Sequence, residues 1–221
     1  MFKDDNLVAE PGTKFSYTTH GLTLAAAVLE KVSGKTYPQL ANGLFHELGL
    51  NNTTLDNSRK IVPERASFYR RNARHVLENC PEVDCSYKYA GGGILSNVFD
   101  LLTFANAILF SLKNYSDQSL ISTEVLGEFL TKQVDVDSKT NVGLGWFIVP
   151  HKNYPGLEWK RYGGGYFYHT GAAVGASSVL LISPGLTVEH PQGISVVVLC
   201  NLQDTSVLDL AVEIEHIFRE L

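Results

Sequence analysis

Cysteine, positive charge and long apolar runs are all scarce in this chain of 221 residues, and each shortage closes off a class of protein. The three cysteines, Cys80, Cys85 and Cys200, are odd in number and lack Cys-x-x-Cys spacing. Neither a disulfide framework nor a cysteine zinc site is expected, and a reducing compartment fits. Lys plus Arg total 18 against 23 Asp plus Glu, a formal charge of -5 with no basic run, which removes the electrostatic footprint a nucleic-acid partner needs. Apolar stretches such as residues 179–182 and 194–200 fall far short of the ~20 residues of a membrane-spanning helix. The opening residues carry Asp4 and Asp5 and no apolar segment, so no targeting segment is expected there. The seven histidines form no His-x-x-x-His pair and imply no metal. The runs Gly91-Gly92-Gly93 and Gly163-Gly164-Gly165 lack the spacing of a P-loop or a dinucleotide fingerprint and read as turns, so no cofactor is expected. Finally, no serine is followed three residues later by lysine. The Ser-x-x-Lys pair, in which an amine one helical turn away activates a hydroxyl, is absent from these residues.

What is present is a globular composition, 44% hydrophobic, that fits one large domain over residues 1–221, with two small ones left open. Leu22, Ala25, Val28, Leu29 and Val32 repeat at helical spacing and stop at Gly34, which predicts a helix over 21–32 with one buried face. Thr36, Pro38 and Gln39 announce a second helix through a capping box, so residues 1–50 hold a helical pair. Residues 51–92 are polar and irregular and read as an insertion, a length of loop retained where it covers a site or an interface. The arginines at 65 to 74, Arg65, Arg70, Arg71 and Arg74, read as a solvated face or an oligomer contact. Residues 93–142 read as helical: Ser96 caps a helix from Val98 carrying Leu101, Leu102, Ala105, Ile108 and Leu109, and a shorter helix follows Ser122. From 143 the period becomes extended, with strands at 143–149, 165–169, 176–182 and 193–200, the last two antiparallel. Leu208, Ala211, Val212, Glu215 and Phe218 share one face of a terminal helix, flanked by Val207, Leu210, Ile214 and Ile217, a face wide enough to lie on the sheet. Helices, then an antiparallel sheet, then a covering helix define an α+β fold.

Two triplets stand out, Tyr17-Thr18-Thr19 and His169-Thr170-Gly171. Alone, each is weak: the first is an ordinary extended tripeptide before a helix, and histidine is often a satisfied, partly buried residue. Their context is more specific. The run from Pro11 to Gly21, leading into a helix that ends Glu30-Lys31-Val32-Ser33-Gly34, resembles the segment of class C β-lactamase-like serine hydrolases that bears the Tyr-x-Asn motif. Gly91-Gly92-Gly93-Ile94-Leu95-Ser96 with Asp100, Leu101 and Phe104 resembles that family's glycine turn and helix. His169-Thr170-Gly171 resembles its Lys/His-x-Gly strand. The chain is similar to the C-terminal part of a β-lactamase/transpeptidase-like fold of the serine β-lactamase and penicillin-binding-protein superfamily. Through residues 169–181 and 87–93 it is most similar to the animal mitochondrial branch.

The resemblance implies a serine hydrolase or peptidase working through an acyl-enzyme on a peptide-like or acyl substrate. It implies that Tyr17 is catalytic and that Thr19, His169, Thr170 and Gly171 bind substrate, Gly171 by letting the substrate backbone come close. It further implies a mitochondrial location, a link to lipid metabolism, and a homo-oligomer or filament. The nucleophile is expected on a segment N-terminal to residue 1, which would leave this chain truncated and inactive alone. Thr19 stands where relatives carry Asn, keeping a hydroxyl but losing an amide grip on substrate. An unperturbed phenol titrates near ~10 and acts as a base at neutral pH only beside cations. Two other outcomes stay open: a catalytically inactive scaffold or filament subunit, and a fragment that lacks its nucleophile.

Overall fold

The computed structural model describes residues 4–113, 119, 121–150, 165–185 and 193–219. Helix α1 (Thr19–Ser33) ends at Gly34, whose φ of 68° makes the left-handed cap that a glycine takes without strain. Helix α2 (Tyr37–Glu47) opens on the predicted capping box, with the Thr36 N–H donating to Gln39 Oε1 at 2.8 Å. The insertion is built rather than irregular. It holds β1 (Thr54–Leu55), the hairpin of β2 (Tyr69–Arg71) and β3 (Leu77–Asn79), and the single turn α3 (Tyr89–Gly92). β1 pairs with β4 (Ile94–Leu95), and Tyr69 exchanges backbone hydrogen bonds with Asn201 and Gln203. Pairings of two or three residues with partners this distant leave no local period to read.

Helix α4 (Val98–Leu112) is capped by Asn97, which accepts from the Asp100 N–H at 2.9 Å, rather than by Ser96. Ser96 lies 2.8 Å from the Thr53 hydroxyl instead, and the buried Asp100 carboxylate takes the Asn52 N–H and the Thr53 O–H. Helix α5 (Thr123–Phe129) starts at its Ser122 cap as expected. The expected strand at 143–149 is a hairpin: β5 (Val134–Asp135) and β6 (Asn141–Val142) precede a turn at Gly145, φ 84°, before β7 (Phe147–Val149). The strands also extend back into residues 93–142, which are not wholly helical. β8 (Tyr166–Ala173), β9 (Ala176–Ser183), β10 (Ile194–Cys200) and helix α6 (Leu208–Arg219) complete the described chain. Of the second glycine run, Gly163 and Gly164 lie outside the described residues.

Strands β5 to β10 form one antiparallel sheet in the order β10-β9-β8-β7-β6-β5. β9 is covered on both faces, which explains its unbroken apolar run. Val179 and Leu181 pack with Val196, Val207 and Ala211 under α6. Ile182 and Leu180 pack with Ala105, Ile108, Leu109, Leu126 and Leu130 under α4 and α5. On α6 the sheet covers less than the expected width: Ala211 and Glu215 are buried, while Leu210, Ile217 and Phe218 face solvent. Glu215 pairs with Arg219, which also donates to Ser183. A third cluster joins α2 to Leu50 and Leu55.

Helix α1 reverses its expected orientation. No residue of it is buried. The half-covered positions are Thr19, Thr23, Ala26 and Glu30, and the predicted core stripe looks outward, with Leu22, Val28 and Val32 exposed by 43, 57 and 81%. Two truncations separate the faces. Leu181→Ala, at a fully buried position, should cost about 2–5 kcal/mol in denaturant unfolding, whereas Val32→Ala should stay within about 0.5 kcal/mol of the parent.

Candidate active site

Thr18 has an extended backbone, and its side chain accepts from the His20 N–H at 3.2 Å and caps α1. Tyr17 therefore stands one residue ahead of a helix N-terminus, its direction set by the cap. The helix is in turn seated on α3. A Cβ on Gly91 would lie 2.8 Å from the Thr19 carbonyl oxygen and 3.1 Å from the Thr19 Cβ, so only a glycine lets the two turns meet.

Across the gap is β8. The ring centroids of Tyr17 and His169 are 6.1 Å apart, and both side chains line one hollow of about 280 Å³. Phe15, Gly21, Leu22, Val142, Gly143, Gly145, Trp146 and Phe147 are also in its wall. The aromatic residues brace one another: Phe15 meets Phe147 edge-on at 5.7 Å, Phe147 stacks on Tyr168 at 5.4 Å, and Trp146 meets Phe167 edge-on at 5.1 Å. Sequence reasoning assigned none of these wall residues to the site. An aromatic side chain in a strand carries no local mark of whether it faces core or cleft.

Of the five expected site residues, Tyr17 and His169 come together. Thr19, Thr170 and Gly171 are not among the residues lining the hollow. Thr19 sits against Gly91, and the space a Gly171 side chain would take is held by Ser178 Oγ of the paired strand. The Ser178 hydroxyl, not the backbone of the sheet, thus occupies that space. Thr170 offers its carbonyl to His169 Nδ1 at 2.7 Å. A carbonyl only accepts, so Nδ1 carries the proton, and in the neutral ring Nε2 is left as an acceptor.

The described lining residues include no Lys, Arg, Asp or Glu. Tyr168, beside the wall, has its phenol raised above the ordinary value, first by burial and then by the charge of Asp137, so it stays protonated at neutral pH. Near the glycine turn, burial and then Asp56 push the Cys85 thiol up and make it a poor nucleophile. Among the described residues no three His, Cys, Asp or Glu side chains gather as a metal site.

Comparison with known proteins gives concordant matches. Residues 1–216 match the Beta-lactamase family. The human serine beta-lactamase-like protein LACTB, mitochondrial, is 36% identical over 97% of this chain and 42% of its own length. The Escherichia coli (strain K12) D-alanyl-D-alanine-carboxypeptidase/endopeptidase AmpH is 29% identical over 73% of this chain and 42% of its own length. The crystal structure of a penicillin binding protein from Bacillus halodurans superposes with a TM-score of 0.71 at 18% identity, over 92% of this chain and 56% of that one. The chain thus spans less than half the length of the curated relatives it matches.

Two glycine substitutions test the geometry. Gly91→Ala forces a Cβ on the fixed Thr19 backbone and should cost about 1–3 kcal/mol, read as a lower midpoint of thermal unfolding. Gly171→Ala meets only the movable Ser178 hydroxyl. Adding Ser178→Ala should recover most of its cost, and a double-mutant cycle with no coupling would contradict the contact.

Proposed function

The chain belongs to the beta-lactamase family, and on that premise we propose that it carries the tyrosine and strand side of a serine hydrolase or peptidase active site acting on peptide-like or acyl substrates. The observation that carries this is the pair of Tyr17 and His169 rings, 6.1 Å apart on one hollow. In this role Tyr17 takes the proton of a serine hydroxyl, and His169 orients the substrate or relays a proton. Thr19 and Thr170 act as supports, Thr19 by seating α1 and Thr170 by fixing the imidazole. Gly171 keeps the strand edge flush beside Ser178.

Residues 1–221 contain no Ser-x-x-Lys, so the nucleophile is to come from polypeptide outside them. Leu22 supports this, because it belongs both to the wall of the hollow and to the bare stripe of α1. A segment that covers the stripe reaches the hollow. The likeness to a mitochondrial protein supports a mitochondrial location; a link to lipid metabolism and assembly into filaments are proposed on that same likeness.

The missing nucleophile also favours a second proposal, an inactive scaffold that keeps the hollow for binding. A fluorophosphonate probe separates the two. In the longest product containing these residues it should label one serine outside 1–221, and Tyr17→Phe should slow labelling by about 10²–10⁴. The 221-residue chain alone should stay unlabelled. No labelling of the longer product would leave the scaffold, and labelling indifferent to Tyr17 would remove the tyrosine from the role of base.

A further inference from the structure

Of the four arginines at 65 to 74, Arg65 does not stand on a solvated face. Its Nη1 lies 2.9 Å from Asp56 Oδ1, with the two side chains exposed by 28 and 10%. That carboxylate oxygen is buried and accepts no aligned hydrogen bond among the described residues, so the ion pair is what meets its charge. The same guanidinium lies over the Phe68 ring, 5.3 Å from the centroid. One cation thus joins two residues that are anchored to opposite walls of the hollow.

The Asp56 N–H donates to the Gly93 carbonyl at 2.8 Å, which fixes Asp56 to the end of the glycine turn on which Thr19 and the start of α1 are seated. Phe68 is anchored on the sheet side, against the turn between β8 and β9. A Cβ on Gly175 would lie 2.3 Å from Phe68 Cβ and 3.0 Å from its Cα, and the φ of 77° there also favours glycine. Backbone and side-chain amides hold the segment in place: the Cys80 N–H donates to the Phe68 carbonyl at 2.8 Å, and Asn201 Nδ2 to the Ser67 carbonyl at 3.0 Å. From that turn β8 leads back to His169.

Resting on the hydrolase reading for its catalytic consequence, we propose that Arg65 is a positioning residue: held between Asp56 and Phe68, it ties the glycine turn to the β8–β9 turn and so sets the gap between Tyr17 and His169. Arg65 is not among the residues lining the hollow and acts through the two anchored residues. Helix α4 supplies a second tie, through the Asp100 carboxylate to Asn52 and Thr53. Loss of Arg65 therefore shifts the glycine turn and does not free it. A reaction that needs its atoms about 3–3.5 Å apart responds to such a shift while the fold persists.

Hydrogen exchange read by mass spectrometry, in the longest product containing these residues, tests the tie without calling on activity. Arg65→Ala should raise exchange about tenfold or more in two separated segments, 20–26 and 171–176, and leave 179–182 and 196–199 at the parent rate. Phe68→Ala breaks the same tie from the sheet side and should give the same pattern, so the test survives a misfolded Arg65 variant. Exchange unchanged, raised only within 56–68, or raised across the whole chain in both variants would overturn the proposal. Arg65→Ala should also slow fluorophosphonate labelling about 10–10²-fold and add nothing in a Tyr17→Phe background, whereas additive losses would remove the positioning role. The two readings fail separately. Raised exchange in both segments without any labelling keeps the tie and removes the chemistry. Tyr17-dependent labelling with exchange confined to 56–68 keeps the hydrolase and removes Arg65 from it.

Discussion

The candidate site exists because the first turn of α1 can sit where a side chain on Gly91 would otherwise stand. With the Thr19 carbonyl 2.8 Å from that missing Cβ, the helix start is fixed against α3. The Thr18 cap then fixes the direction of Tyr17. Everything opposite is fixed differently, by the β7–β8–β9 pairing that sets His169 across from Leu180 and Phe147 across from Tyr168. The hollow is the gap between a helix seated on a glycine turn and a sheet edge seated on its own core. Changes that touch either seat should move one wall of the site while leaving the other in place.

Much of this fold was legible in the sequence where chemistry is local. The capping box at Thr36 and Gln39, the Ser122 cap and the doubly covered run 179–182 all form as the side chains dictate. Where two local solutions compete, the sequence misled. Ser96 and Asn97 can both cap α4, and the cross-link to Thr53 claims Ser96. Residues 143–149 look like one strand until the positive φ of Gly145 folds them back. Short strands such as β2, held by Asn201 and Gln203 far along the chain, have no signature to find.

Helix α1 shows the deeper reason. Periodicity states which residues share a face, and Leu22, Ala25, Val28, Leu29 and Val32 do share one; it does not state which face is inward. Here the half-covered face carries Thr19, Thr23, Ala26 and Glu30, and at Gly91 the Thr19 backbone comes too close for a side chain between them. The apolar stripe is thereby turned to solvent. The two motif residues were legible through resemblance, since Tyr17 and His169 sit in recognisable runs, whereas the aromatic wall was not.

A phenol beside a hollow performs no hydrolysis by itself. Using a tyrosine as a base at neutral pH takes positive charge nearby, and the described walls hold no Lys or Arg. An oxyanion needs donors aimed into the hollow, and the Nδ1 proton of His169 is already held by the Thr170 carbonyl. The bare stripe of α1 is a second deficit, because apolar area left in water forgoes about 25 cal/mol per Å². The two deficits meet at Leu22, which is part of both surfaces. A segment apolar on one side and carrying an amine would meet both needs in one docking event. Stability and chemistry would then be coupled through that contact: loss of the cover removes the cation from the hollow and the partner from the helix together.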